Sequence, residues 1–82
     1  MVKPRVTIYS RKGCHLCEVV EEKVRRAAGE VEFDWEVIDI DTDAELKARY
    51  GWEIPVVAID GHDVFGHAMD YDAFVERVRG RR

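Results

Sequence analysis

Val6-Thr7-Ile8-Tyr9-Ser10-Arg11-Lys12-Gly13-Cys14-His15-Leu16-Cys17 holds the only two cysteines of the chain, two residues apart, where an extended segment gives way to a helix. Val6-Thr7-Ile8-Tyr9 is β-branched and aromatic and reads as a short strand. Ser10-Arg11-Lys12-Gly13 is a polar turn. Helical periodicity begins at the cysteines and runs to about Ala28. Cys17, Val20, Val24 and Ala27 share the inner face of that helix, with Leu16 beside them. Cys17 is therefore expected half buried at the edge of the core. Cys14, ahead of the first full turn, is expected to be exposed.

The start of a helix is a favourable place for a thiolate. Its first N–H groups lack intrahelical partners and carry the positive end of the macrodipole. Arg11, Lys12 and His15 add positive charge nearby. At an ordinary pKa of about 8.5, only ~3% of a cysteine is thiolate at pH 7. A drop to about 6 raises that fraction roughly thirtyfold, while the lower basicity costs about tenfold in nucleophilicity. The larger benefit is that Cys14 becomes a good leaving group when Cys17 attacks a mixed disulfide. Exposure and helix position thus make Cys14 the nucleophile and Cys17 the resolving thiol. Two other readings stand beside this one, a pair of ordinary buried cysteines and a structural zinc site. Zinc needs four ligands in a closed site, and His62 and His67 flank a strand away from the cysteines.

Eighty-two residues suggest a single domain spanning 1–82. The formal charge of −4 argues against nucleic acid as a partner. No apolar run approaches the ~18 residues of a membrane span. Met1-Val2-Lys3-Pro4 leads straight into the first strand, so no signal peptide and a cytoplasmic location are expected. In that compartment a CxxC pair is catalytic or metal-binding more often than structural. The chain has no Asn and no Gln, a bias of thermophilic proteins that high-GC codon usage also produces. Glu21–Arg25 and Glu22–Arg26 are spaced as favourable i,i+4 pairs. The basic Arg79-Gly80-Arg81-Arg82 end suits the negative pole of a final helix.

From Val31 to Asp41 a second strand is expected. Phe33, Trp35 and Val37 alternate with Asp34 and Glu36, and the apolar phase then shifts to Ile38 and Ile40, as at a bulge. Its acidic face suits a sheet edge. Thr42-Asp43-Ala44-Glu45 fits a capping box for a short helix ending at Gly51. Ile54-Pro55 precedes Val56-Val57-Ala58-Ile59, Asp60-Gly61 signals a hairpin, and Val64-Phe65 returns. Asp70 caps a last helix, with Met69 and Phe74 placed as a hydrophobic staple and Tyr71, Phe74, Val75 and Val78 as its inner stripe. The order β-α-β-α-β-β-α gives an α/β fold, a four-stranded mixed sheet with helices packed on it. Its first two strands are parallel and the last pair antiparallel.

The run Tyr9 to Cys17, the later Ile54-Pro55-Val56-Val57, and Asp60-Gly61 together resemble the glutaredoxins of the thioredoxin superfamily. The match is to the small bacterial type with a Cys-His-Leu-Cys site. It extends from about Val6 to Val78. The resemblance implies a thioredoxin fold and a cis Pro55 facing Cys14, with the backbone of Ile54 available to an extended substrate. It also implies that the turn before Asp70 receives a carboxylate of glutathione. His15-Leu16 replaces the usual Pro-Tyr, and His67 stands where the family has the second of two glycines. His67 reads as a bulky obstacle, a cationic attractor or a solvated loop residue. Trp52 reads as a substrate platform or a half-buried packing residue, and His15 as an electrostatic helper or a bystander.

The expectation is a thiol–disulfide oxidoreductase acting through Cys14 and Cys17 as a redox-active disulfide. Lys12, His15, Ile54, Pro55, His67 and Asp70 are the candidate substrate contacts. Its substrates would be disulfide-containing proteins or small thiols, and glutathione or a thioredoxin reductase-type enzyme would reset it. No metal or organic cofactor is expected, and glutathione is a candidate co-substrate. No nucleic-acid or membrane partner is expected, and the chain should be a monomer. The rival readings are a metal or iron–sulfur carrier using the CxxC and a thioredoxin-fold adaptor with little turnover.

Overall fold

The computed structural model describes residues 3–80. Along the chain run strand β1 (Arg5–Ser10), helix α1 (His15–Ala27), strand β2 (Asp34–Asp39), a 3-10 turn (Ile40–Thr42), helix α2 (Ala44–Tyr50), strands β3 (Val56–Ile59) and β4 (His62–Gly66), and helix α3 (Tyr71–Arg79). The strands form one sheet in the order β2-β1-β3-β4. β1 runs parallel to β2, with Val6 opposite Trp35 and Ile8 opposite Val37. β3 is antiparallel to both β1 and β4. This is the expected α/β architecture, with β2 at an edge.

Alternation along β1 divides the core. Val6 and Ile8 join Val57 and Ile59 on the face covered by α1 and α3, where Val20, Val24, Phe74 and Val78 are buried. Tyr9 points to the other face and packs on Ile40, Tyr50 and Val56 under α2. None of the three helices would be stable alone at its length, so the residues each one buries are what hold it. The caps match the sequence at α3. The Asp70 carboxylate accepts the Ala73 N–H at 2.9 Å, and Met69 and Phe74 are both buried. At the Asp60-Gly61 hairpin both residues take positive φ, 51° and 85°. This is the primed turn that matches strand twist.

Several local expectations are corrected. β2 begins at Asp34 and stops at Asp39, because Asp39 turns the chain by accepting the Asp41 N–H at 2.9 Å. The apolar phase shift at Ile40 is thus the 3-10 turn rather than a bulge. The irregularity of the sheet lies between Val57 and Ala58, in a strand buried at every residue and so without a periodic signal. Asp43, not Thr42, caps α2, and the Thr42 hydroxyl donates instead to the Asp39 carbonyl. Glu22 pairs with Arg25 at i,i+3, while Arg25 and Arg26 lie over Trp35 and Tyr71. Leu16 is 54% exposed and Val37 40%, so neither belongs to the core. Arg77 and Arg79 occupy the last turn of α3. Arg81 and Arg82 lie outside the described residues.

Candidate active site

One end of the sheet gathers the candidate residues. β1 leaves it at Ser10, β3 enters it at Val56 opposite Tyr9 and Gly66, and β4 leaves it at Gly66. Cys14 follows Ser10 by one turn, Pro55 immediately precedes Val56, and His67 immediately follows Gly66. Lys12, His15, Cys17 and Ile54 come with them. Asp70 lies three residues beyond His67, at the start of α3.

The cysteine pair is built by the entry to α1. Gly13 takes φ 78°, a conformation that would strain any other common residue, and the Cys14 N–H closes the turn on the Arg11 carbonyl at 3.3 Å. Cys14 is itself the N-cap residue. Its Sγ accepts the Cys17 N–H at 3.2 Å, and its carbonyl accepts the Glu18 N–H at 3.1 Å. The two sulfurs are joined as a disulfide with Cα atoms 5.2 Å apart. Cys14 is partly exposed, whereas Cys17 is only 1% exposed, buried more deeply than the expected edge position.

Charge around the pair differs from the sequence reading. Arg11 is held by Asp41, its Nε lying 3.1 and 3.0 Å from the two carboxylate oxygens. Its charge is therefore shared with the 3-10 turn, and Lys12 is the exposed cation ahead of Cys14. His15 is exposed, with Nδ1 3.9 Å from Glu18. Asp41 went unrecognised because it read as the end of a strand.

Ile54-Pro55 is a cis peptide, and Pro55 is buried. The Ile54 N–H is not free for a substrate as expected, since it donates to the Tyr50 carbonyl at 3.1 Å. His67 has φ 68°, the left-handed region, and its N–H bridges the Glu53 and Pro55 carbonyls at 3.1 and 2.9 Å. That bridge ties the proline loop to the turn before α3. Lys23, buried in part, donates to the Met69 carbonyl at 2.7 Å and fixes the same turn from α1, a contact the sequence did not signal. His62 pairs with Ile59 at the opposite end of β4, so it cannot join His67 and the cysteines around zinc. Among the described residues no group of three or more His, Cys, Asp or Glu could hold a metal ion.

A left-handed non-glycine residue costs roughly 1 kcal/mol. His67→Gly is therefore expected to raise stability by up to about 1 kcal/mol in urea unfolding. A loss of stability would mean that the imidazole makes contacts that outweigh the strain.

Behind the proline loop, the Tyr50 ring stacks on Tyr9 at 4.3 Å, and its hydroxyl donates to both Asp63 oxygens at 3.1 and 3.2 Å. Burial, followed by the Asp63 carboxylate, pushes the Tyr50 pKa up to about 12, with Arg49 opposing. Because the folded value is raised, the stabilisation is complete below the unfolded value near 10 and is lost as pH climbs through 12. Absorbance at about 295 nm is expected to show a tyrosine component ionising near pH 12, which Asp63→Asn moves to lower pH. Titration of every tyrosine near 10 with the fold intact would contradict this assignment.

Residues 5–79 match the family model of the glutaredoxin-like domain. The chain belongs to that family. An uncharacterized protein of Mycobacterium bovis is 35% identical over 68 residues, 77% of this chain and 70% of its own length. The solution structure of protein Ne2328 from Nitrosomonas europaea is 26% identical and superimposes with a TM-score of 0.81, covering 95% of this chain and 94% of that one. A mutant thioredoxin from Halobacterium salinarum, 21% identical, has a TM-score of 0.74 over 96% of this chain and 74% of its own, which shows the shared fold. The glutaredoxin-like domain thus carries a CxxC pair in a thioredoxin fold. No helix among the described residues is long and apolar enough to cross a membrane.

Proposed function

We propose that this glutaredoxin-like domain is a thiol–disulfide oxidoreductase that reduces disulfides of proteins or small thiols. The observation that carries the reading is the N-cap position of Cys14, partly exposed, with Sγ accepting the Cys17 N–H and bonded to a buried Cys17. In the reduced protein a Cys14 thiolate receives that N–H and the helix dipole. It attacks one sulfur of the substrate, forming a Cys14–substrate bond as the substrate S–S bond breaks. The departing sulfur takes a proton. Cys17 then loses its proton and attacks Cys14 Sγ, so the second substrate sulfur leaves as a thiol. Two electrons pass from the dithiol to the substrate, and the Cys14–Cys17 disulfide remains.

Glutathione or a thioredoxin reductase-type enzyme restores the dithiol. Lys12 supplies positive charge ahead of Cys14, His15 lies at the same helix entrance, and Pro55 and Ile54 wall the site. His67 and Asp70 border it on the side of α3. His67 narrows the approach of glutathione, so His67→Gly is expected to tighten glutathione binding to Cys17→Ser protein in calorimetric titration. Tight binding by the parent that ignores both pH and the substitution would show that the imidazole points away. We also propose a monomeric cytoplasmic protein with residues 1–82 as one domain. The activity is tested by following NADPH-coupled reduction of a peptide disulfide with glutathione or thioredoxin reductase as the electron source. Turnover that requires both cysteines supports the reading. Stoichiometric metal in anaerobically purified protein, with no turnover, would replace it with the carrier role.

A further inference from the structure

Trp52 is 92% exposed, the most exposed of the large apolar side chains among the described residues. A single exposed apolar residue is ordinary on a protein surface. Trp52 differs in sitting on a pinned stretch of backbone that leads to the end of the sheet from which the cysteine turn leaves. The Gly51 N–H donates to the Lys47 carbonyl at 3.0 Å, and the Glu53 and Ile54 N–H groups both reach the Tyr50 carbonyl at 2.9 and 3.1 Å. A Cβ at position 51 would lie 2.6 Å from the Lys47 carbonyl oxygen, so the turn needs glycine there. On the other side the Glu53 carbonyl is fixed by His67. The backbone on both sides of the indole is pinned, so little backbone ordering is left for a binding event to supply. Trp52 is three residues ahead of Pro55, within about 10 Å of it by chain reach, at the sheet end that carries Cys14.

The chemistry of the neighbourhood identifies what the ring would receive. Trp35, Tyr50 and Tyr71 each lie beneath an arginine of this chain, at 5.7, 5.1 and 4.9 Å. Trp52 has no such partner among the described residues, and the exposed Glu53 carboxylate next to it makes no ion pair among them. An indole face is the strongest aromatic acceptor for a cation, and an adjacent carboxylate adds charge. The formal charge of −4 favours approach of a basic segment. Lys12 lies on the segment ahead of Cys14, where a basic side chain would meet like charge.

We propose that Trp52 and Glu53 receive an Arg or Lys side chain that neighbours the reacting cysteine of a polypeptide disulfide. This rests on the disulfide-exchange reading and selects polypeptides with basic flanks over uncharged small disulfides.

The test uses peptide disulfides identical except for Arg, Leu or Glu beside the cysteine. kcat/KM is measured for wild type, Trp52→Ala, Trp52→Leu, Trp52→Phe and Glu53→Gln. Wild type is expected to favour Arg over Leu by about three- to tenfold, and over Glu by more. The ratio should fall toward one in Trp52→Ala and Trp52→Leu, survive largely in Trp52→Phe, and shrink in Glu53→Gln and at high salt. Equal or better turnover of the Leu peptide by wild type, or an Arg preference that persists in Trp52→Ala, overturns the proposal. Failure of the redox reading looks different, since wild type would then turn over none of the peptides. The contact is in that case read from the Trp52 indole N–H resonance during titration with the reduced peptides. An Arg-selective shift supports the site, and its absence overturns it.

Discussion

Cys14→Ser is expected to abolish disulfide reduction, lowering kcat by about a thousandfold or more, because the one thiol left at the site, Cys17, is buried and out of a substrate's reach. Cys17→Ser should fail differently. It keeps the attacking sulfur at the N-cap, so it should accumulate a stable mixed disulfide with substrate, visible as a mass increase that reductant reverses. The asymmetry follows from burial. Cys14 is partly exposed, and Cys17 is 1% exposed. In reduced protein at pH 6–7, an alkylating reagent should accordingly label Cys14 well before Cys17. Equal labelling, or a mixed disulfide trapped on Cys14→Ser protein, would reverse the assignment.

Phe74→Ala is expected to destabilise the domain by about 3–5 kcal/mol. Phe74 is fully buried, meets Phe33 edge-on at 5.5 Å, and lies 6.5 Å from Phe65 of β4. It is also the α3 partner of Met69 across the helix start, so its loss loosens the turn that carries His67. Domains of this size hold about 5–15 kcal/mol in total, so the variant should be near its unfolding threshold at 37 °C. Phe74→Leu, which keeps most of the volume, should cost less than half as much. Denaturant unfolding monitored by circular dichroism measures both. A loss under 1 kcal/mol for the alanine variant would mean that the cavity collapses without cost, against the packing described.

Much of the fold was legible because its signals are local. β-Branched residues ahead of Gly13, the Asp60-Gly61 turn, the Gly51 stop and the Asp70 cap each act within a few residues. Their consistency left one topology. The position of Cys14 at a helix entrance was legible for the same reason. What escaped the reading depends on residues distant in sequence. Nothing near Arg11 indicates that Asp41 neutralises it across 30 positions. Nothing near Ile54 shows that its N–H is spent on Tyr50, because an i,i+4 bond just beyond a helix leaves no composition signal. Leu16 and Trp52 are exposed although apolar, where hydropathy alone argues for burial. His67 adopts a glycine-like conformation while closing two carbonyls, which only the tertiary contact explains.

The central claim is that Cys14 and Cys17 exchange electrons as a pair. Equilibration of the protein in graded dithiol–disulfide buffers, followed by alkylation and mass spectrometry, measures this directly. The account predicts that both thiols appear and vanish together in one reversible two-electron transition, with a tenfold change in the reduced-to-oxidised ratio per ~30 mV. Independent one-thiol transitions at the two positions, or thiols that stay unpaired under oxidising buffer, would contradict it.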